Sequence, residues 1–295
     1  MLLKKLLATT ALCTISLAAD AQDWTRNSPA AVAAASYNWT GFYAGGNIGY
    51  SWGHADVNAN SASTFGFLLA GLGGASPRPD GVIGGLQIGY NWQLSRNWVW
   101  GLEADFQGTG QEDSATGSGR FGPVSGVFPG GASPNSVSGT ASGELTSKLT
   151  WLGTVRGRVG FVADGNPGVL WYGTGGLAYG QFKTSFAGTA SGTCSGGVCG
   201  TTEGFTGTVA FGGSHTKVGW TAGAGIEADL GNSWRWKVEY LYVDLGTASD
   251  TFAISGNACH ILNTPNCTSF AGAAAVSSRM TDNIIRLGFN RRFGP

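Results

Sequence analysis

The segment Gly219-Trp-Thr-Ala-Gly-Ala-Gly-Ile-Glu-Ala-Asp-Leu230 alternates strictly between two classes of side chain. Trp, Ala, Ile and Leu occupy its even-numbered positions, whereas Gly, Thr, Glu and Asp occupy the odd-numbered ones. Successive side chains of a strand point to opposite faces, so this period of two predicts a β-strand with one apolar face. The same alternation recurs in 234–242 and in 285–290.

Extended along the whole chain, this pattern predicts eight strands, each long enough to cross a bilayer at a tilt. The predicted strands are 40–52, 81–92, 98–108, 148–161, 169–184, 217–230, 234–246 and 282–293. Their long connections, at 53–80, 109–147, 185–216 and 247–281, alternate with short ones at 93–97, 162–168 and 231–233. Short turns at one end and long loops at the other are typical of an all-β, eight-stranded antiparallel up-and-down transmembrane β-barrel with four long outer loops.

The aromatic residues fall into two bands, one at each end of the predicted strands. One band lies by the short turns and termini: Trp39, Trp92, Trp98, Trp100, Phe161, Trp171, Trp234, Trp236 and Phe293. The other lies by the long loops: Trp52, Trp151, Tyr179, Trp220 and Tyr242. Two such bands match the interfacial girdles of a membrane barrel. A soluble barrel of the lipocalin kind, with its aromatic residues inside, is the alternative.

The composition and the first residues bear on location. Charged residues make up only 12%, the formal net charge is zero and the mean hydropathy is +0.02, so nucleic acid is not an expected partner. Residues 1–21 combine two lysines, an apolar stretch and a small-x-small cleavage site, which indicates a secretory signal peptide. The Ala-rich 22–38 is expected to be a flexible lead-in, and 39–295 the barrel domain.

The mature chain would keep four cysteines, in two close pairs: Cys194 with Cys199, and Cys259 with Cys267. An even number in an exported protein predicts disulfides. Pairing within each loop is expected, and cross-pairing between the third and fourth outer loops is the alternative.

Three segments carry a resemblance to a known family. They are Trp39-Thr-Gly-Phe-Tyr-Ala-Gly-Gly-Asn-Ile-Gly-Tyr50, Leu152-Gly-Thr-Val-Arg-Gly-Arg-Val-Gly160 and Val238-Glu-Tyr-Leu-Tyr-Val-Asp-Leu-Gly246. They resemble the small outer-membrane immunogenic, or opacity-like porin, family, which is similar to the membrane domain of OmpA. The resemblance implies a barrel in the cell outer membrane with a mainly structural and surface role. Some relatives are described as haem-binding or as porins.

If the apolar face meets lipid, the opposite face places charges in the lumen. The predicted luminal charges are Glu103, Asp105, Arg156, Arg158, Glu227, Asp229, Arg235, Lys237, Glu239, Arg286 and Arg292. Asp229 would lie opposite Arg235, and Glu227 opposite Lys237, in the 217–230/234–246 hairpin. Opposed unlike charges stabilise a strand pair, and an eight-stranded lumen is wide enough only for side chains. The charges are therefore expected to seal the barrel through internal ion pairs.

Features typical of other functions are weak in this sequence. Glu103/Asp105 and Glu227/Asp229 are same-face carboxylate pairs, but the neighbouring arginines favour structural ion pairs over glycosidase chemistry. His54, His215 and His260 lie in or beside the predicted outer loops without a catalytic arrangement, so no enzyme, metal site or cofactor is expected. A small-solute porin and a haem-binding receptor remain alternatives. Expected partners are outer-membrane lipids, lipopolysaccharide and the assembly machinery. The termini are expected to be periplasmic and the long loops extracellular. Whether the loops bind a host or haem ligand is left open.

Overall fold

The computed structural model describes residues 37–59, 77–124, 136–195, 203–260 and 267–294, which form an antiparallel all-β structure. The strands are β1 (Gly41–Ala59), β2 (Asp80–Gln93), β3 (Trp98–Thr109), β4 (Glu112–Val124), β5 (Ser136–Val162), β6 (Val169–Ser195), β7 (Glu203–Gly231), β8 (Trp234–His260) and β9 (Cys267–Phe293). Those ranges contain no helix that is long and apolar enough to cross a membrane.

The sheet closes on itself as a ring of eight strand positions. Apart from β3 and β4, strands that follow each other in sequence are paired, and β1 pairs with both β2 and β9, which joins the first strand to the last. β3 and β4 share one position, because both pair with β5: β3 with 151–161 and β4 with 137–148. β4 therefore continues β3 after a two-residue break. The predicted eight-stranded barrel is confirmed.

The predicted extents of the four long outer loops are wrong, because part of each belongs to strands. β5 begins at Ser136 and β6 continues to Ser195, so the β5–β6 pair extends well beyond the predicted 148–161 and 169–184. These extensions are rich in Thr and Ser, and facing hydroxyls bond across strands, as in Ser142–Thr189 at 3.2 Å and Ser114–Thr146 at 2.9 Å. Threonine favours strands, and such cross-strand pairs add stability that apolar periodicity does not register.

The three short turns lie where the sequence predicts them, within a residue or so. They occupy 94–97, 163–168 and 232–233. Asn232 and Ser233 both have positive φ, 52° and 68°, which is the conformation of a two-residue turn whose twist matches that of the flanking strands. Gly231 joins β7 through a bulge instead of belonging to the turn. We call this end of the barrel, which also carries Tyr37 and Phe293, the short-turn end.

The two faces of the wall differ as the alternation predicts. Large apolar side chains project outward between the two ends: Leu86 is 74% exposed, Leu177 61% and Leu102 56%. Aromatic side chains, among them Trp171 and Trp98 at one end and Trp220 and Trp52 at the other, border this apolar belt. The inward positions of the same strands carry polar and charged residues that are almost fully buried. Since the outward face is apolar and charged residues fill the middle of the lumen, the lipocalin-like alternative does not fit.

The wall is not uniform beyond the belt. Pairing between β7 and β8 runs from Gly231/Trp234 to Trp220/Asp244, stops, and resumes at Ala210/Ser255. The opposite sides of both strands stay paired throughout, β7 with β6 and β8 with β9. Strand pairing around the barrel is thus continuous across the apolar belt. The β7–β8 pairing is interrupted once beyond the belt, on the side away from the short turns.

We predict a disulfide between Cys259 and Cys267. These residues are directly opposed in the β8–β9 pair, and directly opposed residues of antiparallel strands have Cα atoms about 4.5–5.5 Å apart. That separation falls within the range of about 4.4–6.8 Å that a disulfide requires. Mass mapping of unreduced peptides should recover the Cys259–Cys267 link, whereas a link from either residue to Cys194 or Cys199 would contradict it. Cys199 lies outside the described residues.

Candidate functional site: the charged lumen

The inward face of the wall concentrates charge in the lumen. Of the described residues, eleven ionisable ones are buried there to at least 95%, five acidic and six basic: Glu103, Asp105, Glu227, Glu239, Asp282, Arg156, Arg158, Lys217, Arg235, Lys237 and Arg286. We call the nine of these that were predicted from sequence the central network: Glu103, Asp105, Arg156, Arg158, Glu227, Arg235, Lys237, Glu239 and Arg286. Charges removed from water are tolerated only when each has a partner of opposite sign.

Glu103 on β3 is the hub of the central network. Its carboxylate accepts hydrogen bonds from the Lys237 ammonium at 2.8 and 2.9 Å and from the Arg156 guanidinium. Arg158 and Arg286 approach the same carboxylate at 3.4 and 3.6 Å. The Tyr43 hydroxyl donates to it at 2.8 Å. One carboxylate thus joins cations from β5, β8 and β9 across the full width of the lumen.

Asp105 and Glu239 complete the pairing of two arginines. Arg156 donates to Asp105 at 2.9 Å and to Glu239 at 3.1 Å. Arg286 donates to Asp105 at 2.9 Å and, through Nε, to Glu239 at 2.7 Å. Because each guanidinium bridges carboxylates from different strands, the two arginines tie β3, β5, β8 and β9 together inside the barrel.

Arg158 connects this centre to the short-turn end. Its guanidinium donates to Glu227 at 2.6 Å and to the Tyr43 hydroxyl at 2.9 Å, and it lies 4.0 Å from the centroid of the Tyr172 ring. The Tyr172 hydroxyl in turn donates to Glu239 at 3.0 Å. The two tyrosines supply both hydrogen bonds and a ring face for the cation, which lowers the cost of burying it.

The residues before β1 close the short-turn end. Trp39 is fully buried in a cluster with Val99, Val162, Leu170 and Tyr172, and its indole donates to the Pro167 carbonyl at 3.1 Å. The assignment of Trp39 to an outer aromatic band is therefore wrong. It precedes β1, so strand alternation does not decide the direction of its side chain. The Arg235 guanidinium lies 4.5 Å from the centroid of the Trp39 ring.

Tyr37 links this apolar cluster to the remaining predicted luminal charges. Its hydroxyl donates to Asp229 at 2.9 Å and accepts from Arg235 at 2.8 Å. Burial raises the pKa of this hydroxyl; the Arg235 charge lowers the pKa, whereas Asp229 raises it further. Tyr37 accordingly stays a neutral donor to Asp229. Arg292 donates to the Asn38 carbonyl at 2.6 Å and does not join the central network.

On the other side of the central network, a layer of apolar side chains crosses the lumen. It contains Ala55, Ile83, Leu149, Leu152, Ala178, Phe182, Leu241, Val243, Leu245, Met280 and Ile284, none more than 3% exposed. A bulge between Leu149 and Trp151 shifts the register of β5, so that both Leu149 and Leu152 face inward. Two apolar layers therefore enclose the charged one.

The glycines of the wall leave room for this filling. A Cβ atom on Gly89 would lie 2.3 Å from the Tyr43 hydroxyl oxygen, and one on Gly225 would lie 2.6 Å from that of Tyr172. Both distances are far shorter than a van der Waals contact, so any larger residue would displace the tyrosines that hold Glu103 and Arg158. Part of the unusual glycine content, 51 residues, thus has a packing reason.

The predicted register of the β7–β8 hairpin is observed, but the side-chain partners differ from the directly opposed ones. Asp229 is opposite Arg235 and Glu227 opposite Lys237. Lys237 instead reaches across the lumen to Glu103, while Arg235 approaches Glu227 diagonally at 3.6 Å. Inside a closed barrel, long side chains from all strands converge on one axis, so a two-strand pattern cannot identify the partner.

Sequence reasoning missed a polar group at the outer side of the apolar layer. Asp282 accepts from Ser51 at 2.6 Å and from Gln111 at 3.1 Å. At a similar height on the outward face, Asp244 accepts from Arg279 at 2.7 Å. Lys217 lies with its ammonium 5.5 Å from the centroid of the Phe182 ring. Asp282 and Lys217 are the first residues of the predicted strands 282–293 and 217–230 and follow their two-residue alternation, so their inward direction was already available in the sequence.

No arrangement suited to catalysis or metal binding emerges in the described ranges. His54 bonds to Asp56 at 3.1 Å on the exposed side of β1, and His215 lies on β7, so both belong to strands instead of loops. The side chain of His260 lies outside the described residues. Across the ranges that the structure covers, no group of three or more His, Cys, Asp or Glu side chains could hold a metal ion.

Comparison with known proteins agrees with this architecture. The family model described as outer membrane protein beta-barrel domain matches residues 7–293. The 31 kDa outer-membrane immunogenic protein of Brucella melitensis is 35% identical over 79% of this chain and 82% of its own length. The 22 kDa outer membrane protein of Rhizobium leguminosarum is 30% identical over 70% of this chain and 64% of its own.

One solved structure also aligns with this chain. The crystal structure of Ail, the attachment invasion locus protein of Yersinia pestis, aligns with 84% of this chain and 99% of that chain, at 14% identity and a TM-score of 0.26. The barrel assignment for the present chain rests on its own closed strand pairing.

We predict that Arg286→Ala lowers the free energy of unfolding by about 3–5 kcal/mol, because it leaves Asp105 and Glu239 buried with one cation fewer. The matched control is Arg291→Ala on the same strand, whose outward-facing guanidinium lies 5.9 Å from the centroids of the Trp234 and Phe293 rings. It should cost about 1 kcal/mol or less. Urea unfolding in detergent, followed by tryptophan fluorescence, measures both. Equal losses for the two variants would contradict a special role for the central network.

Proposed function

Since this chain belongs to the outer membrane protein beta-barrel domain family, we propose that it seals its own lumen and serves a structural and surface-exposed role in the outer membrane. The observation that carries the proposal is the layered filling of the lumen. Trp39 and its apolar neighbours lie at the short-turn end, the central network at mid-height and the Leu149–Phe182–Met280 layer beyond it.

The placement of charges in the lumen supports a sealed barrel and not a conducting pore. A conducting lumen needs charges that line an open path, whereas here cations and anions meet at hydrogen-bond distance on the barrel axis. An eight-stranded ring encloses a space only about as wide as packed side chains. Two apolar layers in series with the ion pairs add a further barrier, because an ion would lose its hydration there without gaining ligands.

The alternatives carried over from the sequence have weaker support. A small-solute porin would need the central network to open, and its contacts tie five strands together. A haem receptor would need an axial ligand, and the histidines described carry no feature that marks them as one. A non-enzymatic role is supported by the relatives, which are named as outer-membrane and immunogenic proteins.

The proposal includes an orientation and partners. The signal peptide would deliver the N-terminus to the periplasm, and eight strand positions return the chain to the same side, so the short-turn end faces the periplasm. The strand extensions beyond the apolar belt then face the exterior. Outer-membrane lipids, lipopolysaccharide and the assembly machinery are the partners that this placement implies.

We predict that the refolded wild-type protein conducts almost no steady current in planar bilayers. The expected trace is a flat baseline over a range of voltages, and Lys237→Ala should raise the leak because it removes a cation held by Glu103. Arg291→Ala, on the outward face, should leave the baseline unchanged. Large, long-lived openings of the wild type would favour the porin instead.

We predict that an epitope tag inserted between Gly130 and Gly131 is detected on intact cells. This position lies between β4 and β5, outside the described residues. Sequence alone places Ser118 in a loop, which would make it a suitable insertion site. In the structure, Ser118 lies within β4 and is paired with Ser142 of β5, so it is less suitable. Detection only after permeabilisation would reverse the orientation.

A further inference from the structure

A row of charged residues crosses the outer wall beyond the apolar belt. Glu112 on β4, Lys148 on β5, Lys183 on β6 and Ser214 on β7 are successive partners in the strand register. We call these four residues the lysine row. Their side chains lie on the outward face, with Lys183 exposed and Lys148 half-exposed. The central network does not involve them.

The charge in the lysine row is unbalanced. Lys148 donates to Glu112 at 3.0 Å, which pairs one of the two lysines. Lys183 lies directly opposite Lys148, and in the described part of the chain it has no carboxylate within ion-pair distance. Like charges directly opposed on neighbouring strands repel each other. An anion bound between the two ammonium groups would remove that repulsion.

The height of the row relative to the apolar belt indicates the kind of anion. Lys183 follows the exposed Trp171 by twelve positions on β6. Lys148 precedes the exposed Phe161 by thirteen positions on β5, one of which is the extra residue of the bulge. Twelve residues span about 40 Å along a strand and about 30 Å along the axis at a tilt of about 40°.

The apolar band of such a barrel is about 25 Å tall. With Trp171 and Phe161 at its lower edge, both lysines lie about 5 Å beyond its upper edge, where lipid phosphates are found. Nearer the membrane, Tyr179 lies four residues before Lys183 and Trp151 three residues after Lys148. Their rings pack edge to face at 6.1 Å and provide the interfacial aromatic surface against which a lipid would rest.

Neighbouring side chains add hydrogen-bond donors. Ser185 and Thr146 are opposed on the same two strands just beyond the lysines, and the exposed Ser214 is the register partner of Lys183. Phosphate oxygens accept hydrogen bonds from both ammonium and hydroxyl groups. In contrast, residues on β1 and β2 beyond the belt include Asp56 and Asp80, which are acidic. Of the described lysines, the two on the outward face therefore lie on β5 and β6, whereas the exposed Arg279 on β9 is paired with Asp244.

We propose that Lys148 and Lys183 form a binding site for a phosphate of the outer-leaflet glycolipid, with Trp151 and Tyr179 contacting its acyl region. This proposal rests on the orientation proposed above, in which the lysine row faces the exterior. Phosphatidylglycerol and inorganic phosphate share the chemistry and are distinguished by the test.

The test uses the full-length mature protein, refolded in detergent and titrated with bis-phosphorylated lipid A, with bound lipid counted by native mass spectrometry. Lys183→Gln should weaken binding about tenfold, as expected for the loss of one charge-assisted contact. Lys183→Arg should keep the affinity. Glu112→Gln should strengthen binding, because it frees Lys148 from its carboxylate.

The matched control is Arg96→Gln, which removes the same charge from an exposed side chain in a short turn at the opposite end of the barrel. It should leave lipid A binding unchanged. Equal affinity of the wild type and Lys183→Gln, or an equal loss in Arg96→Gln, would overturn the proposal. So would phosphatidylglycerol or inorganic phosphate binding as tightly as lipid A, since either would assign the site to another phosphate.

Failure here is distinguishable from failure of the sealed-lumen proposal. All variants should remain folded, judged by heat-modifiable migration on a denaturing gel, and all should conduct as little as the wild type. If lipid binding does not depend on the lysines and the conductance trace stays flat, only the lipid-site proposal is contradicted. If the wild type conducts and lipid binding still depends on the lysines, only the sealed-lumen proposal is contradicted.

Discussion

The buried carboxylate of Glu103 is the interaction on which the rest of the lumen depends. It receives four cationic side chains from three strands, and no pair of neighbouring strands could supply them. A charge at this depth needs partners on every side, which requires a closed ring narrow enough for arginines to meet. It also requires small residues such as Gly89 in the wall, because the tyrosines that orient the network occupy the space a Cβ would fill.

The fold was largely predictable because two independent patterns agree. The alternation in 219–230 gives the faces of the wall, and the alternation of short with long connections gives the up-and-down order. Where the alternation of apolar and polar residues weakens, the predicted strands end too early. The extensions of β5 and β6 carry Thr, Ser, Gly and Ala on both faces, so no apolar period marks them. Their pairing depends on continuation of an established register, which costs little once the barrel below has formed.

The membership of the candidate site was more predictable than its contacts. Inward direction follows from the parity of residue numbers within a strand, which identifies Glu103, Arg156 and Arg286. Contacts depend on the curvature of the ring, since Lys237 bypasses the opposed Glu227 and reaches β3. Trp39 and Tyr37 precede β1 and therefore have no parity to follow. Their burial results from a chain that turns into the lumen, which a strand pattern cannot express.

The separation of inner from outer charge has a consequence for recognition. In the described lumen, the four acidic and five basic residues of the central network are paired at short range, so they produce little field outside the wall. Any partner in the surrounding lipid or solvent must then be recognised by groups beyond the apolar belt. There, the described outward-facing lysines lie on β5 and β6, with Glu112 beside Lys148, and Asp56 and Asp80 lie on β1 and β2. The inner charges thus act on stability, and only the outer ones are placed where a partner could meet them.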